Sequence, residues 1–221
     1  MSGGFSLDVA NALAGLLVLA SFLMIYQDRL SALINMLAVH AFILALAVAW
    51  QAHVQGAPDL FVTAAITLGF KAVALPMALR RIVVRLGLHR EIETVTGVGL
   101  TMLAGIGLVA LSQEVMLPVT THADPLTRED ITLALSVVLL GLLMMVTRRN
   151  AVSQVAAFLS LENGIDLAAA AAQGMPMVVE ISVAFSVLVA FLVIGVFLFR
   201  IRERFDSVDV RALDAFRGDR R

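Results

Sequence analysis

The chain has 221 residues, of which 60% are hydrophobic and only 15% are charged, and its formal net charge is -1. Soluble domains are usually about half apolar and about a quarter charged, so this composition excludes an ordinary soluble protein and predicts an integral membrane protein. The chain has no cysteine, which excludes disulfide bonds and thiolate metal sites.

Seven apolar segments meet or nearly meet the length of ~20 residues that crosses a bilayer. They lie at about 6–26, 31–52, 58–79, 94–115, 129–147, 151–173 and 177–200. Because none alternates like a β-strand, we predict an all-α membrane protein, a bundle of about seven transmembrane helices. We divide it into a four-helix region 1–128, a three-helix region 129–200 and a tail 201–221.

Arginine placement predicts the orientation of the bundle. The odd-numbered connections and the tail are basic, beginning with Arg29 in the first connection, whereas the even-numbered connections carry only Arg128. We therefore expect the N-terminus outside and the C-terminus in the cytoplasm. The tail is either a solvated segment or a docking segment for a cytoplasmic partner.

The sixth predicted span contains ionisable residues within the bilayer core, where a charged side chain costs free energy. Glu162 and Asp166 are four residues apart, so both lie on one helix face. Burial disfavours the charged form of a carboxyl group, and proton relays in membranes are built from such groups. Glu162 is the first candidate for proton exchange; alternatively, it is a protonated group that only hydrogen-bonds a neighbouring helix. Asp166 is a second relay group or a residue near the lipid headgroups.

Two neighbours of Glu162 have structural explanations. The Asn163 amide can join helices by hydrogen bonds, and Gly164 permits close helix approach.

Lys71 is the only lysine and lies near the middle of the third predicted span. It is part of a proton path, a fixed ion pair, or a side chain that reaches to the membrane surface. Pro76 follows five residues later and is expected to kink the helix, leaving backbone carbonyls free near the site.

His40, in the second span, is either a titrating group or a packing residue. Ser186, in the seventh span, either hydrates a path or bonds to a neighbouring helix. A weak internal repeat sets His40 opposite Glu162 and is consistent with duplication of a three-helix unit. We find no P-loop, no zinc motif and no haem or iron–sulfur ligand set, so no metal site is predicted.

Leu161-Glu162-Asn163-Gly164 resembles the "MENG"-type segment of the membrane component E family of hydrogenase-4 and formate hydrogenlyase-type complexes. That family also has a lysine a few residues before a proline, as Lys71 and Pro76 are here. Its second half is similar to the K-type subunit of complex I and to the C-type subunit of multisubunit cation/proton antiporters. In the K-type subunit a second glutamate lies in the next helix, where this chain has Phe185-Ser186-Val187. Any proton path must therefore pair Glu162 with another residue.

The resemblance implies a non-catalytic subunit of a complex I-like, group 4 [NiFe]-hydrogenase or formate hydrogenlyase-type assembly in the cell inner membrane. It implies no cofactor in this chain, with the nickel-iron site and iron-sulfur clusters in partner subunits. The implied partners are antiporter-like membrane subunits, the hydrogenase membrane anchor subunit and the peripheral hydrogenase arm, together with the lipid bilayer, and no nucleic acid. The alternatives are a subunit of a cation/proton antiporter and a structural spacer.

Overall fold

The structure is a computed structural model that describes residues 2–85, 92, 96–121, 125–172 and 195. These residues are almost entirely helical, and no β-strand occurs among them. The helices are α1 (Ser2–Tyr26), α2 (Leu30–Gln55), α3 (Pro58–Ile66), a π-helical segment (Thr67–Ala74), α4 (Leu75–Arg85), α5 (Val98–Val119), α6 (Pro125–Thr147) and α7 (Ala151–Ala171).

Within the described part of the chain, five helical segments are long and apolar enough to cross a membrane. They are Gly4–Tyr26, Leu30–Gln55, Pro58–Arg81, Val98–Val119 and Thr127–Thr147. The predicted all-α membrane protein is therefore confirmed at this level. The fourth segment begins after Gly97 and extends past the exposed Glu114, so it lies about four residues beyond the predicted 94–115.

The remaining predicted spans differ from these five. A helix, α7, does occupy the predicted sixth span, but its polar residues lower its hydropathy and it is not among the five segments. The predicted seventh span 177–200, which contains Ser186, and the tail 201–221 lie outside the described residues.

Helix α7 is a central element of the bundle. It packs most extensively against α6 and also contacts α2. The α6–α7 contact depends on two glycines. A Cβ atom on Gly141 would lie 2.8 Å from the backbone of Leu161, and one on Gly164 would lie 2.9 Å from the backbone nitrogen of Val138. Small residues at helix contacts allow backbones to approach closely in membranes, as the sequence predicts for Gly164.

The buried apolar residues that the structure describes form two clusters. One surrounds the connection between α6 and α7 and includes Met24, Leu37, Leu79, Met144 and Ala156. The other lies toward the opposite end of the helices and includes Leu17, Leu44, Ala64, Val137 and Leu167. Between the two clusters, α1, α2 and α7 each contribute buried polar residues, namely Ser21, His40, Glu162 and Asn163. The bundle therefore contains a polar layer between two apolar layers.

Arg148 lies just after α6 and connects the α6–α7 loop to the C-terminal end of α1 by hydrogen bonds. Its guanidinium donates hydrogen bonds to the carbonyl oxygens of Met24, Ile25 and Gln27 at 3.1, 2.6 and 2.8 Å. Carbonyls at the C-terminal end of a helix generally lack intrahelical partners, and a cation there is favoured by the helix dipole. Burial lowers the pKa of Arg148 from its usual value and Asp28 opposes this effect, but a guanidinium remains protonated in proteins.

Gly141→Ala is expected to destabilise the α6–α7 contact, because the new methyl group has to displace backbone atoms of Leu161. Overpacking of this kind costs about 1–3 kcal/mol, which exceeds the gain of about 1 kcal/mol from replacing glycine in a helix. Thermal unfolding of the purified chain in detergent measures the effect. The control is Gly107→Ala on α5, where a Cβ meets no atom within 4 Å. Equal melting temperatures for the two variants would contradict this packing.

Candidate functional site

The polar layer contains most of the candidate site residues predicted from the sequence. Helix α7 contributes Glu162, Asn163 and Asp166, α2 contributes His40, and the π-helical segment contributes Lys71. These residues are far apart in the sequence, and the fold brings them together through ion pairs and hydrogen bonds. We call Lys71, Glu162 and Asp166 the charge cluster.

Lys71 binds both carboxylates of α7. Its Nζ lies 2.5 Å from Asp166 Oδ2 and 3.5 Å from Glu162 Oε1. Lys71 is only 6% exposed, so it is not a surface lysine. The side chain of Asp166 is 24% exposed and that of Glu162 only 4%. A buried ammonium is tolerated when a carboxylate compensates its charge, and here two carboxylates one helical turn apart do so.

Lys71 lies in the π-helical segment, which ends directly before Leu75 and Pro76. Leu75 N–H donates to Phe70 C=O, five residues back instead of four, directly before Pro76. Proline has no N–H to donate to the preceding turn, so the wider π-helical turns lie where ordinary helical bonding is interrupted. Single π-helical turns are frequent at functional sites. Pro76 itself is buried.

Glu162 differs from Asp166 in its bonding. Both of its carboxyl oxygens are buried and neither accepts a hydrogen bond from the residues that the structure describes, although Lys71 lies within ion-pair distance. A buried oxygen without a hydrogen bond is energetically costly and unusual in native structures. Glu162 is therefore the member of the cluster whose proton is least constrained by its neighbours.

His40 is fully buried and connects α1 to α7. Its Nδ1 lies 3.0 Å from Asn163 Nδ2, and its Nε2 lies 3.0 Å from Ser21 Oγ. Because an amide nitrogen only donates, Nδ1 accepts this bond, and Nε2 carries the proton in the neutral ring. Ser21 accepts from Nε2–H and donates its own hydroxyl proton to Leu17 C=O at 3.0 Å. This assignment gives both ring nitrogens of His40 and the hydroxyl of Ser21 a hydrogen-bond partner, and it ties His40 to the residue next to Glu162.

Sequence reasoning missed several buried polar residues. Ser21 was not a candidate, although it is the partner of His40. Gln51 and Asp130, which are hydrogen-bonded to each other, were also missed. Gln51 and Asp130 are visible in the sequence as polar residues inside apolar segments. Both lie near the ends of predicted spans, where polar residues usually face water.

A separate cavity of about 500 Å³ lies between α1, α5 and α6, and its lining includes Asn11, Gln113, Arg128 and Glu129. None of the predicted site residues lines it. Among the residues that the structure describes, no group of three or more His, Asp or Glu side chains has the arrangement needed to hold a metal ion.

The chain is 33% identical to the uncharacterized protein Rv0085 of Mycobacterium tuberculosis over 218 residues. It belongs to the same family as that protein. The match covers 98% of this chain and 99% of the mycobacterial one, so the relationship extends over essentially the whole of both proteins. No protein-family model matches the chain, and no solved structure matches it.

A double-mutant cycle on Lys71→Met and Asp166→Asn tests the charge cluster. Lys71→Met leaves two carboxylates without their cation and Asp166→Asn leaves Lys71 with Glu162 alone, so each single variant is expected to lower stability. The double variant removes both charges, and we expect it to be more stable than the sum of the single effects predicts, by about 1–3 kcal/mol.

Chemical unfolding of the purified chain in detergent measures the coupling between Lys71 and Asp166. Lys71→Met combined with Glu114→Gln is the control, since Glu114 is an exposed carboxylate on α5. Additive effects for Lys71 and Asp166 would show that the two side chains are not paired.

Proposed function

We propose that the chain is a non-catalytic membrane subunit of a complex I-like, group 4 [NiFe]-hydrogenase or formate hydrogenlyase-type complex. In this proposal it contributes to proton translocation through Glu162. The buried charge cluster is the observation that carries the proposal, and the resemblance of Leu161-Glu162-Asn163-Gly164 to component E of such complexes supports the choice of complex.

The charge cluster has the chemistry of a proton-exchange site. Asp166 holds Lys71 by a short bond, so this pair carries no net charge. Glu162 is then the variable member: with a proton the cluster is neutral, and without it the net charge is -1. A change of one unit charge at a buried position acts strongly on neighbouring groups because the surroundings screen it poorly.

His40 and Asn163 act in this proposal as positioning residues. The hydrogen bonds from Ser21 through His40 to Asn163 fix the rotation of α7 relative to α1 and α2. This holds the neighbouring Glu162 toward Lys71. The glycine contacts between α6 and α7 fix the same helix from its other side.

The wider assignment follows the resemblance. The proposed topology has seven transmembrane helices, with the N-terminus outside and the C-terminus in the cytoplasm, in the cell inner membrane. Antiporter-like membrane subunits, the membrane anchor of the hydrogenase and the peripheral arm are the proposed partners. The nickel-iron site and the iron-sulfur clusters belong to those partners, so this chain carries protons and no electrons.

Glu162→Gln in the native complex tests the function. The amide keeps the shape of the side chain but cannot exchange a proton at neutral pH. We expect proton movement into sealed vesicles and the coupled redox turnover to fall by about 100-fold, the usual contribution of a proton-transfer group. Glu114→Gln, which changes an exposed carboxylate on α5, is the matched control and should leave both rates unchanged.

Three other outcomes have clear meanings. Wild-type rates in an assembled Glu162→Gln complex would contradict the proton role and favour a structural spacer. Cation-driven transport in the absence of any hydrogen- or formate-dependent partner would replace the proposal by the antiporter subunit. A cluster or metal ligated by this chain would contradict the assignment of cofactors to its partners.

A further inference from the structure

A second buried polar cluster lies where α2 and α7 end. Gln51 Nε2 donates a hydrogen bond to Asp130 Oδ2. Gln55 Nε2 donates to Gln51 Oε1 at 3.1 Å and to the carbonyl oxygen of Ala170 at 2.8 Å. Asp130 is 1% exposed and Gln51 is 2% exposed. We call Asp130, Gln51 and Gln55 the end cluster.

The end cluster is aligned with the charge cluster along the bundle. On α7, the carbonyl of Ala170 that binds Gln55 is four residues beyond Asp166, which is about 6 Å at helical rise. Asp166 is also the member of the charge cluster with the more exposed side chain. The end cluster therefore lies about one helical turn farther toward the end of the bundle at which α2 and α7 terminate.

Between the two clusters is an apolar layer. It includes Ala47 and Val48 on α2, Ala134 on α6 and Leu167 on α7, all of them buried. A layer of this kind separates two polar sites when dry and connects them when water molecules enter it.

A purely structural role explains the end cluster poorly. Uncharged amides such as Asn can join helices by hydrogen bonds. A buried carboxyl group adds a desolvation cost whenever it is ionised. Asp130 adds to such a network what an amide cannot supply, namely an exchangeable proton. On α2 its hydrogen-bond partner is the amide of Gln51, a side chain that carries both a donor and an acceptor.

We propose that Asp130 is a second proton-exchange group, which passes protons between water at the Gln55 end of the bundle and the charge cluster. This inference rests on the proposed role of Glu162 and extends it to a route. A proton from water binds to Asp130 and leaves it through water that enters the apolar layer, to Asp166 or Glu162. The carboxylate of Asp130 is then restored, and no redox partner is required. In the proposed topology, the Gln55 end faces the outside.

The test uses the full chain in sealed vesicles of phosphatidylethanolamine and phosphatidylglycerol, in one orientation. A rapid change of pH is applied to one face, and the infrared absorbance of the Glu162 carboxyl group, identified by its loss in Glu162→Gln, is followed in time. For Asp130→Asn we expect the response to a change on the Gln55 face to slow by about 100-fold. The response to a change on the opposite face should be unaltered.

Asp130→Glu keeps the carboxyl group and is expected to recover most of the exchange rate. Asn can still accept the hydrogen bond from Gln51, so a rate lost in Asp130→Asn and recovered in Asp130→Glu depends on the carboxyl proton. If Asp130→Asn fails to fold, Asp130→Gln replaces it in the same assay, with slowed exchange from the Gln55 face as the expected result and wild-type exchange as the result that overturns the inference. Wild-type rates in Asp130→Asn, or slowing equal from both faces, would overturn the inference while leaving Glu162 in its role. Absence of any Glu162 response in the wild type would overturn the proposed function, and this inference with it.

Discussion

The organisation of this bundle depends on the pairing of one buried ammonium with two carboxylates. An isolated charge in an apolar helix bundle is costly, and a polar layer that holds such charges is stable only if each has a partner. Lys71 binds Asp166 closely and lies near Glu162, and this arrangement requires the π-helical segment and α7 to keep a fixed register. The hydrogen bonds of His40 extend the same requirement to α1 and α2.

The two carboxylates of the charge cluster differ in exposure and in bonding, and the proposed function rests on this difference. Asp166 is bonded to Lys71 and partly exposed, whereas Glu162 is buried and its two oxygens lack hydrogen bonds within the described part of the chain. A site built only for stability would satisfy both groups. A site that exchanges protons needs one group that holds the cation and another whose proton is loosely constrained. This division of roles is the physical basis for proposing a coupling subunit.

The sequence predicted the fold class and much of the site because both depend on local signals. Long apolar segments mark the helices, and Glu162, Asp166 and Lys71 are conspicuous since charged residues are rare inside such segments. Their mutual contact was not predictable, because 95 residues separate Lys71 from Asp166 and only packing brings them together. The π-helical segment was likewise not predicted; Pro76 indicated a disturbed helix but not its form. Asp130 was overlooked because it lies near a helix end, where burial is decided by neighbouring helices.

The most direct test of the account is an infrared comparison of the purified wild-type chain and Glu162→Gln, each recorded in acidic and in alkaline buffer. The account predicts a carboxyl band that changes with pH in the wild type and is missing from Glu162→Gln, with the remaining spectrum preserved. Identical difference spectra for the two proteins would mean that Glu162 does not exchange a proton, and the charge cluster would then be only a structural element.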